Sequence, residues 1–406
     1  MHVLFVEPCF PQNQAKFVRA LHSVGAKVTG IGEVAPRSVP SSVRECLHAY
    51  EQVRSVVHEP SLLEAVRRCQ QREWVDRLEA TIEAHIMPVA KVRAACGIPG
   101  TSPETAFLCR DKPAMKDALR RAGVPCANSG RARSSDDIRE FAAANGYPLI
   151  IKPADAAGAS GVERVSSASE LEAAIARSQV DRGASVAVEE FVEGHEGFYD
   201  TISIGGKVVH EFISHYYPNV LVAMRNRWIS PQIVATNRTD ASSYDELRQM
   251  AQRVNTALGI GTSATHMEWF FGPKGLRFSE IGCRPPGVGA WDLYCAGNDM
   301  DLYREWAHAI VYQCPEGRPS RAYAAGLIAL RPDRDGEIVG TEGLEPVLQR
   351  YGSCIIDTHI PRPGTRTQPV EAGYWANAWM RVRHPDYDTL CGILDDIGRS
   401  VQVRAR

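Results

Sequence analysis

Residues 147–161 read YPLIIKPADAAGASG. Leu149, Ile150 and Ile151 form an apolar run that suits a short buried strand. Lys152 closes that strand, and a loop of small residues follows at once. A lysine in that place buries its stem and holds its ammonium at the strand's C-terminal end. There it meets phosphate oxygens while loop N–H groups bind others. The segment leaves one alternative open, a lysine snorkelling to water before a solvent loop, because the loop lacks the GxxxxGK[ST] pattern. The chain holds 46 Lys plus Arg and only eight of them are lysine, so a lysine is a restricted choice here.

Outward from this strand the pattern alternates helix and strand. Asp111 is placed to cap a helix that tolerates Pro113 in its first turn and runs to Gly123, where Val124-Pro125 breaks it. A helix over 136–144 ends at Asn145-Gly146, and the quoted strand follows. Beyond the loop, Ser167 and Glu170 form a capping box for a helix around 170–177. Val186 and Val188 alternate with Ala187 and lead into a strand over 189–192. Upstream, residues 3–6 are a buried strand. Phe17, Val18, Leu21 and Val24 recur at helical spacing until Gly25, and 27–31 is a second strand. Leu62, Val66 and Cys69 repeat the helical period, as do neighbours near Trp74 and Leu78. This βαβ rhythm implies a parallel sheet covered by helices. Downstream, 200–235 alternates apolar and polar residues as an antiparallel sheet does. Residues 244–258 are an amphipathic helix, and two strands around 272–275 form a hairpin. From about 318 the composition turns strand- and turn-rich, which predicts a separate C-terminal subdomain.

The 406 residues suit roughly two to four compact units. Hydrophobic residues at 44% and charged residues at 23% exclude a disordered or collagen-like chain. Lys plus Arg 46 against Asp plus Glu 48 argues against broad nonspecific binding to nucleic acid or a membrane surface. The apolar run over 3–6 is too short for a signal peptide or a transmembrane helix. The 11 cysteines stand far apart with no CxxC pair, so neither a zinc site nor a redox pair is signalled. The expected setting is a reducing cytoplasm, with no nucleic-acid and no membrane partner.

Two acids carry the next clue. Glu268 and Glu280 lie in the two strands of the predicted hairpin. A three-residue loop over 273–275 makes them face each other on one side of the sheet; a four-residue loop puts them on opposite faces. Facing carboxylates repel unless a cation or a proton lies between them. Hard oxygen ligands with an open side suit Mg²⁺ carrying nucleotide phosphates, while two unrelated solvent-facing acids remain the alternative. Arg284 follows, held before Pro285-Pro286-Gly287. An arginine on a rigid turn beside such a site can stabilise a developing oxyanion.

In this order the pieces resemble the ATP-grasp superfamily. The similar stretches are Asp111-Lys112 with Met115-Lys116 and Gly123-Val124-Pro125, then Tyr147-Pro148-Leu149-Ile150-Ile151-Lys152-Pro153. They continue with Glu189-Glu190-Phe191-Val192-Glu193-Gly194-His195-Glu196, His266-Met267-Glu268 and Ser279-Glu280-Ile281-Gly282-Cys283-Arg284. The spacing of Lys112 and Lys152 also fits that family's two-lysine layout. The resemblance implies an α/β chain (α+β ATP-grasp) in three parts. These are an N-terminal Rossmann-like βαβ domain over 1–100, a two-lobed ATP-grasp domain over 101–316 and a small β-rich C-terminal subdomain over 317–406, in a biotin-carboxylase-like layout. The small lobe falls at about 125–190 and the large lobe at about 191–316.

The resemblance also implies roles. Lys112 and Lys152 match the phosphate-contacting lysines, and Gly158, Ala159, Ser160 and Gly161 match the loop that closes over the phosphates. Glu189, Glu190, Phe191 and Val192 match the hinge that reads adenine. An acidic side chain and the backbone of Glu190 and Val192 would do so, with Phe191 against the base. Glu196 matches the acid on the ribose hydroxyls. Glu268 and Glu280 match the ligands of Mg²⁺ (or Mn²⁺) bound with ATP, and Arg284 matches the arginine that faces the acyl phosphate. Gly282 stands where many relatives place an asparagine ligand. Candidate substrate contacts are His266, Glu83, Arg225 and Arg227, with a packed strand histidine and exposed strand charges as the alternatives.

The activity implied is ATP-dependent carboxylate–amine ligation through an acyl phosphate, with small-molecule acid and amine substrates, ADP and phosphate as products, and room for a homodimer. A bicarbonate-using carboxylase and a non-catalytic nucleotide-binding subunit are the competing readings. For the carboxylase, no biotinyl-acceptor Met-Lys-Met segment is present, and Gln232 falls near the place of the bicarbonate-polarising lysine. Substrate selection is expected from the 210–240 sheet and the 285–300 loop around Trp291 and Asp292.

Overall fold

The computed structural model describes residues 1–154, 161–374 and 377–406. The first strand, β1 (His2–Val6), is buried along its whole length. With β2 (Lys27–Gly32), β3 (Ala49–Gln52) and β4 (Arg77–Glu79) it makes a parallel sheet in the order β3-β2-β1-β4. Helices Gln14–Ser23 and Glu59–Arg72 connect β1 to β2 and β3 to β4, as βαβ units require, and helix Glu83–Ala95 follows β4. The helical period expected near Trp74 and Leu78 does not hold. Leu78 is the fully buried centre of β4 and pairs with Leu4, while Trp74 is exposed. Short apolar runs are ambiguous in period, and here pairing with β1 decides.

The small lobe is an antiparallel sheet of β5 (Ser129–Ala132), β6 (Leu149–Pro153), β7 (Glu163–Val165) and β8 (Val186–Glu190), in the order β5-β8-β6-β7. Side chains alternate across each strand. Leu149, Ile151, Val186 and Val188 enter a core with Ile138, Leu171 and Ile175 of the helices Ser135–Asn145 and Ala168–Ser178. That leaves Lys152 and Glu189 for the opposite face, toward helix Lys112–Arg121. Asp111 caps that helix by accepting from the Ala114 N–H at 3.0 Å, as its sequence position predicts.

The large lobe begins with β9 (His195–Ile204), β10 (Lys207–Tyr217), β11 (Gln232–Ala235), β12 (Ser263–Gly272) and β13 (Gly275–Gly282). The C-terminal stretch adds β14 (Ala324–Leu330), β15 (Ile338–Glu342), β16 (Ile355–His359), β17 (Ala378–His384) and β18 (Gln402–Ala405). The expected separate C-terminal subdomain needs correction. β14, β17 and β16 extend the large-lobe sheet, whose order is β13-β12-β9-β10-β11-β14-β17-β16; only β15 and β18 pair apart. β14 is buried throughout and β11 supplies the open edge it needs, so sheet continuity outweighs the change in composition.

The hairpin of β12 and β13 also differs from expectation. Gly272 pairs with Gly275, so the loop is the two residues Pro273-Lys274. Glu268 nevertheless pairs with Glu280, because Ser279 is an extra residue on β13 between the Glu280 and Phe278 positions. This β-bulge supplies the one-residue offset that a three-residue turn would otherwise give. Gly272 has its own constraint: a Cβ there would lie 2.1 Å from the Glu193 carbonyl oxygen, so only glycine lets the turn rest on the 191–194 segment.

The N-terminal domain docks through aromatic rings. Phe17 lies 5.4 Å from Trp291, 4.9 Å from Tyr303 and 5.2 Å from Trp306, centroid to centroid. Trp291 and Asp292 are therefore structural, correcting their expected part in selection; they open helix Ala290–Asn298 rather than line a loop. Asp292 accepts from Lys16 at 2.6 Å and from the Tyr303 hydroxyl at 3.0 Å, and pairs with Arg381 at 3.1 Å, so one carboxylate ties three parts of the chain. Asp292→Asn leaves a buried guanidinium undercompensated and should lower unfolding free energy by about 3 kcal/mol in urea titrations. Lys16→Met, which removes the more exposed partner, should cost less than about 1 kcal/mol.

Candidate active site

A cleft of about 450 Å³ opens between the two lobes. It is lined by Lys112, Lys152, Glu189, Glu190, Phe191, Val192, Glu196, His266, Glu268, Glu280 and Arg284, side chains that lie up to 172 positions apart in the chain. Glu83 joins a small adjoining cavity with Lys112, Glu280 and Arg284. Gly158, Ala159 and Ser160 lie outside the described residues. Gly161 lines a neighbouring cavity beside Lys152.

Sequence reasoning assigned two lysines, and the structure brings a third to the same point. Lys116, on helix Lys112–Arg121, and Lys152, at the end of β6, both reach one oxygen of Glu189, at 2.6 and 2.9 Å. Burial disfavours a charge on Glu189, but the two ammonium groups outweigh it and hold its carboxyl down to about 2. Burial also works against Lys152, yet Glu189, Glu280 and Glu268 raise its pKa. For Lys116 burial wins and its pKa falls. The Glu189 Oε1 atom is buried and accepts no hydrogen bond among the described residues. It is an acceptor left for a donor entering the cleft. Met115-Lys116 stood in the matching stretch, but its helical position four residues past Lys112 was the only signal for Lys116.

The opposite wall is acidic. Glu268 and Glu280 face each other across the bulged hairpin, and Lys112 lies 3.5 Å from Glu280. Glu196 accepts from the Val220 N–H at 2.7 Å. Burial, and then the charges of Glu268 and Glu280, push its carboxyl up to about 8. His266 is gripped from both sides. One ring nitrogen lies 2.7 Å from Asp200 and the other 3.6 Å from Glu268. Burial opposes its charge, but Asp200 and Glu268 raise it to about 9. Asp200, fully buried, also accepts from the Tyr294 hydroxyl. The histidine is thus a hydrogen-bonded strand residue that also lines the cleft, and Asp200 and Tyr294 are partners that sequence spacing did not reveal.

Arg284 donates from Nε to Glu83 at 2.8 Å. Gly282 explains how they meet: a Cβ there would lie 3.2 Å from the Glu83 carboxylate and 3.5 Å from Arg284 Cγ. A side chain at 282 would press on this pair, and the N-terminal domain's carboxylate occupies the space instead. Arg225 and Arg227 are corrected, since they follow the short helix Val220–Ala223 rather than standing on a strand. Arg225 donates to the Val162 carbonyl at 3.2 Å, and Arg227 pairs with Asp335. In the hinge, the Glu190 N–H is taken by the Asn128 carbonyl at 2.9 Å, a bond that does not use the Glu190 carbonyl. Its side chain accepts from Lys274 and from the Asn128 N–H. Phe191 stacks under Arg164 at 4.4 Å.

The donors fit a hard divalent cation only in company. Among the described residues no group of three or more His, Cys, Asp and Glu side chains forms a metal cluster. Two facing carboxylates, mutually repelling and open to the cleft, suit Mg²⁺ or Mn²⁺ whose other oxygens come from phosphate and water.

The parts of the site and the lobes that hold it define an ATP-grasp architecture. The family model for the carbamoyl-phosphate synthase L chain ATP-binding domain matches residues 111–198. Alanine–anticapsin ligase of Bacillus subtilis is 27% identical over 52% of this chain and 48% of its own length. The L-arginine-specific L-amino acid ligase of Bacillus subtilis is 26% identical over 59% of each chain. The chain spans about half the length of the curated relatives it matches. The crystal structure of an L-amino acid ligase from Bacillus licheniformis superposes with a TM-score of 0.78 at 19% identity, covering 100% of this chain and 98% of that one. The chain shares the fold of that ligase and is similar in sequence to these proteins over the stretches given.

Glu196 gives a signed test. Its raised pKa means that the folded state holds a proton the unfolded state has lost between 4.5 and about 8. Stability should therefore fall as pH rises through that window. Glu196→Gln keeps an acceptor for Val220 and should flatten the slope, gaining on the parent from about pH 5 to pH 8 in urea unfolding. Parallel curves would contradict the assignment.

Proposed function

We propose that the protein is an ATP-dependent carboxylate–amine ligase acting on amino acids or small acids. The observation that carries this reading is the convergence of Lys112, Lys152, Glu268, Glu280 and Arg284 on one cleft. A carboxylate resists amine attack because its leaving group would be oxide. Transfer of the γ-phosphoryl group to a carboxylate oxygen makes an acyl phosphate and ADP. The neutral amine then attacks the acyl carbon, phosphate leaves, and the nitrogen loses a proton, giving an amide.

Each residue has a task in that sequence. Lys112 and Lys152 bind the phosphates and offset their charge. The unpartnered Glu189 oxygen accepts from the base's amino group, with the Val192 backbone beside it and Phe191 against the ring. Glu196 takes the ribose hydroxyls. Glu268 and Glu280 would hold Mg²⁺ or Mn²⁺, which supplies charge neutralisation on the phosphates when bound. Arg284, oriented by Glu83, stabilises the oxyanion formed by amine attack. Segment 158–161 is the proposed phosphate-covering loop, and exclusion of water would protect the acyl phosphate. The fold's likeness to biotin carboxylases does not favour a carboxylase, because Gln232 donates to Asp395 at 2.8 Å and supplies no cation.

Glu280→Gln should lower phosphate release with an acid–amine pair by about 100-fold or more while leaving the circular-dichroism spectrum unchanged. Full activity in that variant would falsify the role of Glu280.

A further inference from the structure

The cleft continues beyond its acids. A row of rings leads away from them: His266 to Phe198 at 5.0 Å, Phe198 to Tyr216 at 5.0 Å, and Tyr216 to Tyr374 at 6.3 Å. Phe198 and Tyr216 stand on β9 and β10, while Tyr374 comes from the C-terminal stretch, which reaches the cleft with residues 371–374. Met224 and Val288 complete the wall. The Tyr374 hydroxyl is buried and has no hydrogen-bond partner among the described residues. This end of the cleft therefore offers mainly carbon to a ligand, next to the groups that would handle the reacting carboxylate.

The charged side chain that lines this end beside Tyr374 is acidic, Glu371. Glu268 acts on both Tyr216 and Tyr374, so an added anion is repelled. Arg331 acts on Tyr374 from another side. It donates to the carbonyls of Ala223 and Asn226, and its Nη2 is buried without a partner among the described residues. An added cation would lose its water against rings and a thioether. We propose that one of the two substrates presents an uncharged apolar side chain, branched aliphatic or aromatic, to this chamber, and that Tyr374 and Met224 set the size accepted. This inference rests on the ligase reading above.

The test is phosphate release and product mass with ATP and all pairs drawn from Ala, Leu, Phe, Asp and Lys. Pairs containing Leu or Phe should exceed those containing only charged side chains by about tenfold or more in kcat/KM. Tyr374→Ala should raise KM for Leu or Phe about tenfold without moving KM for ATP. Met224→Trp should shift preference from Phe toward Ala by a similar factor. Turnover confined to Asp or Lys, or variants that leave the Phe-to-Ala ratio unchanged, would overturn the chamber assignment and leave the ligase reading standing. ATP binding with no turnover of any pair would overturn the ligase reading and this inference with it.

Discussion

Two buried ammonium groups converge on one carboxylate oxygen, and much of the site depends on that contact. Glu189 on β8 draws Lys152 from β6 and Lys116 from helix Lys112–Arg121, so the small-lobe sheet and the helix before it are held in one arrangement. A buried ion pair is weak evidence for net stability, but it is costly to break from one side. That asymmetry makes it a positioning device. It is maintained over a wide range, since Glu189's contribution is complete above 4.5 and is lost only as pH falls to about 2.

Across the cleft the balance reverses. Glu196, Glu268 and Glu280 crowd together, with Lys112, Lys152 and the clamped His266 as their nearby cations. The chain's formal charge of -2 conceals this division. A basic wall and an acidic wall facing each other across a cleft define a place for a polyanion bound with a divalent cation. Neither wall is built from one segment. Helix, hinge and bulged hairpin each contribute, and the N-terminal domain adds Glu83 beside Arg284.

The sequence made the local parts legible where side-chain type and chain position agree. Lys152 at the end of an apolar strand and Asp111 as a cap needed only neighbouring residues to be recognised. The Glu268–Glu280 pairing was anticipated through a three-residue turn, whereas the offset comes from Ser279; strand pairing tolerates either device, and spacing cannot separate them. The glutamate shared by Lys116 and Lys152 joins residues that meet only in three dimensions, and so does the Tyr294–Asp200–His266 chain. The C-terminal strands were misjudged as a separate unit because composition reports turns and strands but not which sheet edge they complete.

Isotope transfer tests the central claim most directly. A substrate acid with heavy oxygen in its carboxylate, ligated to an amine in the presence of ATP, should place one heavy oxygen in each phosphate released. ADP should form in equal amount. Phosphate free of label, or AMP in place of ADP, would contradict an acyl phosphate formed in this cleft.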